Sequence, residues 1–326
     1  MGNSTLRKLA TIEEISLSEL EGTTVAVDAY NWLYKYMTTI SRFNESAVYT
    51  TNNGVEIPTL IGVPRGLVRF HEYNITPLFV FDGDPHELKA NELAARRQSK
   101  QEAAQKASQA KSDGDSIEAA RFEARTQRLD SDAVQTTKNL LDRFGIHYCT
   151  ADGAGEAYAA TLARNGTVDA VVSDDYDCLL FGAPQTIRNF TSSSKPLERL
   201  DLPQTLTESD LTHEQLIDVA ILCGTDYNPG INGVGPATAV TGIQTHKNIH
   251  EFLADRGDEI DRVDEIRSIF RTEATGDPIT SVNRSTPDIE RVYDYLETRG
   301  IDTSYVEASL SKIEAETVQS GLDSWL

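Results

Sequence analysis

The stretch VVSDDYDCLLFG, residues 171–182, opens as an apolar strand and then sets Asp174, Asp175 and Asp177 within four positions before a second apolar run. Two other β-type runs end alike, TTVAVD at Asp28 and TPLFVFDG at Asp82. Asp226 follows the helix-like LTHEQLIDVAILCGTDYN, and Glu156 opens a helix in GAGEAYAATLA. Singly, each acid has an ordinary use as a helix cap, a turn residue or a partner of the helix dipole. Together they repel one another unless some protonate or a cation neutralises them. Oxygen ligation without His or Cys nearby selects Mg²⁺ or Mn²⁺ rather than zinc. Asp175 and Asp177, one residue apart, face one side of an extended or tightly turned backbone and suffice to hold one ion or bridge two. Two such ions about 4 Å apart activate water and stabilise the leaving oxygen of a phosphodiester. Phosphoryl chemistry is the natural use.

Short β-rich apolar runs alternating with helix-like segments predict a mostly parallel sheet flanked by helices, an α/β class. In an open sheet of that kind ligands bind beyond the carboxyl ends of the strands, where Asp28, Asp82 and the Asp174–Asp177 cluster arrive. Thr212 and Gln215 stand at capping-box spacing and start the helix that delivers Asp226. Residues 89–128 hold nine basic and six acidic side chains, are rich in helix formers and break at SDGDS around Gly114. With few large apolar residues to bury, they read as two helices forming a projecting basic arm; a solvated hairpin without a ligand is the alternative. Lys89 and Arg96, seven residues apart at its root, share one helical face from which cations reach a phosphate that the acids do not bind unaided.

The 326 residues and 39% hydrophobic content suit a globular protein of one or two domains. No run of 18 apolar residues and no signal-peptide layout are present, so a cytoplasmic location without membrane association is expected. Cys149, Cys178 and Cys223 are too scattered for a disulfide framework or a zinc cluster and read as small core residues. His246 and His250, at i,i+4 spacing, read as a solvated helix face. The net charge of −21, with 10 lysines against 20 arginines, opposes nucleic-acid binding in general. It also matches proteins of salt-in halophiles, in which molar salt shortens the Debye length to about 3 Å. The basic arm is therefore the exception in an acidic chain.

Taken in order, Gly2 after the initiator Met, VDAYNWLY, FVFDG with LKANELAARR, GEAYAA, SDDYDCLLFG, LCGTDYN and GVGPATA resemble the flap endonucleases of the XPG-like structure-specific 5′-nucleases, across nearly the whole chain. The resemblance implies a PIN/5′-nuclease-like sheet, a helical arch over the active site and a C-terminal helix-two-turn-helix region. It implies residues 1–100 as an N-terminal nuclease region, 101–140 as arch and connecting helix, 141–225 as an internal nuclease region, 226–312 as the helix-two-turn-helix and C-terminal helical region, and 313–326 as a clamp-binding tail. It further implies incision of branched DNA carrying a 5′ flap, with 5′-3′ exonuclease activity, in replication and repair by a monomer of the archaeal nucleoid. Asp28, Asp82, Glu156, Asp175, Asp177 and Asp226 would ligate two Mg²⁺, or Mn²⁺ in their place, or orient metal-bound water. Lys89 and Arg96 would stabilise the attacked phosphate, and Tyr34 would stack on a base near the scissile bond, as exposed aromatics do on unpaired DNA. Asp174 would orient its neighbours. Gly2, Gly233, Gly235 and Ala237 would contact DNA, the glycines of GINGVGPATA letting backbone N–H groups approach duplex phosphates, with K⁺ as a further ligand there.

Two features depart from that pattern. Ala154 stands where the family carries the first of two glutamates, leaving Asp152 as the substitute ligand; a catalytically impaired homologue that still binds DNA and the clamp is the alternative reading. The tail QSGLDSWL resembles a motif for the PCNA sliding clamp, with Gln319, Leu322 and Trp325 in place and Leu326 where a second aromatic is usual. A phosphatase with a strand-end Asp nucleophile is a third class; Asp82 and Asp84 have its spacing, but Pro85 replaces its usual hydroxyl-bearing residue.

Overall fold

A computed structural model describes residues 6–84, 86–89, 131–284 and 286–323, the side chains of Lys89 and of 317–323 excepted. Seven strands form one sheet: β1 (Thr11–Ile15), β2 (Thr24–Asp28), β3 (Thr76–Phe81), β4 (Tyr148–Thr150), β5 (Ala170–Val172), β6 (Gln185–Arg188) and β7 (Leu197–Asp201), in the order β1-β7-β6-β5-β2-β3-β4. The five strands from β4 to β6 in that order are parallel, whereas β7 and β1 add an antiparallel edge. The described helices are α1 (Ala29–Phe43), α2 (Thr59–Glu72), α3 (Ser131–Arg143), α4 (Gly155–Arg164), the single turn α5 (Asp177–Leu180), α6 (Leu202–Ser209) and α7 (His213–Cys223). They continue with α8 (Pro236–His246), α9 (Ile249–Arg256), α10 (Val263–Arg271), α11 (Ile289–Thr298) and α12 (Glu307–Asp323).

Strand side chains alternate between faces, so an unbroken apolar run supplies two cores at once. In β3, Leu78 and Val80 join one cluster with Ala26, Val171 and residues of α4 and α7, while Phe79 and Phe81 join the other with Val25, Val27, Val172 and residues of α1 and α2. Trp32 anchors the second cluster, 5.0 Å from Phe79 between ring centroids and edge-on to it. Truncating such a side chain to Ala costs about 3–5 kcal/mol.

The expected α/β class is therefore present. The capping box at Thr212 forms as read: Gln215 N donates to Thr212 Oγ1 at 3.2 Å, and Thr212 N donates to Gln215 Oε1 at 2.9 Å. Cys149 and Cys178 are buried, and all three cysteines are free. His246 and His250 do not share a helix face, because Lys247 adopts a left-handed conformation (φ 70°) that ends α8 before α9 begins. They pair instead with Asp255 and Asp264. Two helices also cross expected boundaries. α3 runs through 140, and α12 runs through 313 with Ile313 fully buried against the face that carries α2. No helix among the described residues is long and apolar enough to cross a membrane.

Candidate metal and nucleic-acid site

The register of the sheet brings the strand-end acids together. Asp28 ends β2 level with Val80 of β3, so Asp82 lies just past it on the neighbouring strand. Val27 pairs with Val172 on the other side, and Ser173, next in the chain, donates its Oγ–H to Asp28 Oδ2 at 3.0 Å. Asp28 Oδ1 accepts from Asn31 N at 3.0 Å and so caps α1 as well. Its buried carboxyl is pushed up to about 7, by burial first and then by Asp82 and Asp175, against the two hydrogen bonds. A single group thus reports on its two acidic neighbours.

Asp82 is met across the fold by the first turn of α4. Its Oδ1 accepts from Gly155 N at 2.7 Å, at the first turn of α4. That approach requires glycine, since a Cβ at 155 would lie 2.8 Å from the same oxygen, and a Cβ at Gly83 would lie 2.0 Å from the Ala151 carbonyl oxygen. Glu156, half-buried, follows in the first turn of α4. Asp175 Oδ1 accepts from Asp177 N at 3.0 Å, a tight local turn that starts α5, and Asp177 is only 2% exposed. Behind these groups lies Cys178, fully buried. Its thiol is raised well above its ordinary value by burial and then by Glu156, Asp175, Asp28 and Asp177 in that order. Four carboxylates from three separated segments therefore act on one sulfur.

Asp226 sits half-buried in a turn closed by pairing of Thr225 with Asn228, just past α7. Its neighbour Tyr227 lies edge-on to His86, beyond Asp82, at 6.3 Å, and to Phe270 at 5.5 Å, while Phe270 packs on Phe181, which follows α5. The Asp226 turn therefore belongs to the same end of the molecule. Asp152, the expected substitute ligand, is held by Thr275, whose Oγ1 donates to Asp152 Oδ2 at 2.6 Å. Ala154 is the N-cap of α4 and offers no side-chain bond.

Among the described residues no three acids, histidines or cysteines close on a single point. The arrangement is an open set of hard oxygen donors at one strand end, where Asp82 and Asp175 act on Asp28. It fits a cation such as Mg²⁺, which keeps several of its own waters, better than a fully protein-caged ion.

Sequence reasoning missed the cations that brace the Asp174 loop. Lys35, one position beyond Tyr34 on α1, pairs with Asp174, and the other charges it feels include Arg188, Lys195 and Asp28. Asp174 Oδ1 also accepts from Asn189 N at 2.8 Å, and its carbonyl accepts from Arg188 Nε at 3.2 Å. Arg188 in turn meets Glu198 at 2.7 Å and lies over the Tyr176 ring, while Arg7 reaches Glu198 at 3.1 Å. The signal available was YNWLYKY itself, whose lysine falls one turn past Asn31 on the helix that Asp28 caps.

Tyr34 is 47% exposed, so it is an open aromatic rather than a core residue. Gly235 caps α8, with Pro236 in its first turn and Ala237 exposed; a Cβ at Gly233 or Gly235 would meet no atom within 4 Å, which leaves that helix start open to solvent. Lys89 ends a 3₁₀ turn, Glu87–Lys89. Gly2, Arg96, most of the expected arch, Trp325 and Leu326 lie outside the described residues, as do the side chains of Gln319 and Leu322.

The XPG N-terminal domain model matches residues 3–103 and the XPG I-region model residues 145–226. Over its full length the chain is 44% identical to Flap endonuclease 1 of Haloquadratum walsbyi, with 100% of both proteins covered. The structure of flap endonuclease-1 from Methanococcus jannaschii superposes with a TM-score of 0.75 at 30% identity, covering 98% of this chain and 100% of that one. The catalytic core of Rad2 in complex with DNA substrate, 22% identical, shares the fold with a TM-score of 0.71 over 94% of this chain and 97% of that one.

Proposed function

Given that this chain belongs to the flap endonuclease family of XPG-type nucleases, we propose that it hydrolyses the phosphodiester at the root of a 5′ flap on branched DNA, with 5′-3′ exonuclease action on the same site. It is a DNA nuclease, and the strand-end carboxylates would be its reactive centre. The observation that carries this reading is the sheet register that sets Asp28, Asp82 and the Asp174–Asp177 loop at one strand end, where Gly155 beside Glu156 bonds Asp82 and Ser173 bonds Asp28. Asp28, Asp82, Glu156, Asp175, Asp177 and Asp226 would hold two Mg²⁺, or Mn²⁺. When bound, such ions supply an activated water and neutralise charge on the leaving oxygen.

The protein's own groups prepare that chemistry. Ser173 and Asn31 fix both oxygens of Asp28, Gly155 fixes Asp82, and the Asp177 amide turns Asp175 inward at its own residue pair. Asp174, joined to Lys35, steadies the loop that presents them. Lys89 and Arg96 would meet the attacked phosphate from the arch. Tyr34 would stack on the unpaired base. The open start of α8, with Gly233, Gly235 and Ala237, would receive phosphates of the duplex, with K⁺ among them. The tail at Gln319, Leu322, Trp325 and Leu326 would dock a PCNA-type clamp, and the enzyme would work as a monomer. Cleavage of a labelled 5′-flap duplex with Mg²⁺ or Mn²⁺ across a KCl series tests the proposal, using wild type and Asp177→Ala. Equal cutting by the two proteins removes the assignment of the acids. Clamp binding after deletion of 319–326 tests the tail separately.

A further inference from the structure

At the end of the sheet opposite the acids, three segments enclose a cavity of about 20 Å³: the last turn of α2 with the start of β3, the turn before β4, and the chain at 283–284. Its described lining includes His71, Thr76, His147, Asn283 and Arg284, and not one carboxylate, in a chain with 51 acidic residues. His71 is 8% exposed, and its Nδ1 is buried without a hydrogen-bond partner. Arg284 Nη1 is buried and unpartnered too. Glu316 on α12 is the acid whose charge Arg284 feels, and it does not line the cavity. A buried guanidinium nitrogen without an acceptor is costly, and an imidazole in the same lining cannot supply a negative charge.

We infer that this cavity binds a small monovalent anion of the size and charge of chloride, held by Arg284 Nη1 and the Nδ1–H of His71. A volume of about 20 Å³ holds one water-sized or chloride-sized particle. Burial and the Arg284 charge push His71 down to about 4, so it meets the anion as a neutral donor and Arg284 brings the charge. The site has a structural reach. Arg284 lies between α10 and α11, on the stretch whose earlier residues Thr275 and Asp277 hold Asp152 and the Thr150 amide, so the anion fastens a strap that also meets the chain beside the carboxylates.

Crystals of the wild-type chain grown in bromide give the direct test. An anomalous peak within hydrogen-bond distance of both nitrogens is expected; an ordered water without anomalous signal overturns the site. Thermal unfolding in potassium chloride against potassium gluconate, at equal ionic strength, gives the second. Wild type should gain about 2–3 °C in chloride near ten times its dissociation constant, and Arg284→Met should lose that increment. The same chloride increment in both proteins also overturns it.

Discussion

On one side of the Asp174–Asp177 loop, every acid meets a cation of the same chain: Asp174 with Lys35, and Glu198 with Arg188 and Arg7. On the other side backbone amides and a hydroxyl donate to Asp28, Asp82 and Asp175, and Asp28 is raised by burial first and then by its acidic neighbours. The two clusters differ in the contacts that orient them: ion pairs in one, backbone amides and a hydroxyl at Asp28, Asp82 and Asp175 in the other. A balanced cluster holds the fold together. Acids that gather at one strand end and repel one another are candidates for binding charge brought from outside.

The sharpest break between the two is Asp177→Ala. In the reactive cluster it should lower flap cleavage on the order of 10³-fold while circular dichroism stays unchanged. Undiminished cleavage by that variant would put the two clusters in one class. Glu198→Ala addresses the braced side. Removing the acid leaves Arg188 buried without it and should cost about 3–5 kcal/mol in denaturant unfolding. A drop in cleavage with stability intact would contradict the division of labour.

A pH series in divalent-free buffer separates the clusters more finely. Asp28 has a folded value near 7, above that of an unfolded aspartate at about 3.9, so the native state holds the proton longer. The stability this proton contributes is full below about 4 and is lost as pH rises through about 7, and Asp28→Asn should flatten that slope in unfolding measurements. A slope unchanged by the substitution would place the raised group elsewhere. The smallest effect belongs to Lys35→Met, which straddles the boundary. For a half-exposed pair the loss should be about 1 kcal/mol or less, with the Mg²⁺ needed for half-maximal cleavage shifted upward. Identical Mg²⁺ dependence would confine Lys35 to the braced side.

Strand-end acids were legible because alternation and apolar runs fix where a parallel strand stops, and the residue there then has little choice of edge. The capping box at Thr212 and the Gly-Pro start of α8 were legible for the same local reason. Partners chosen across the fold were not. Nothing near Asp82 in sequence says that its carboxylate will cap α4, 73 positions on, and nothing near Asp174 points to Lys35. The antiparallel edge of β7 and β1 and the return of α12 to the α2 face are also contacts between distant segments, invisible to local periodicity. The break between His246 and His250 was missed because spacing alone cannot see a left-handed residue.

Asp28 spends one oxygen on the amide of Asn31 and the other on the hydroxyl of Ser173. The helix that carries Tyr34 is thereby hung from the very carboxylate that a cation would claim. A cation held by Asp28 would therefore bear on the same carboxylate that anchors the first turn of that helix, so metal binding and the seating of the helix would share one group.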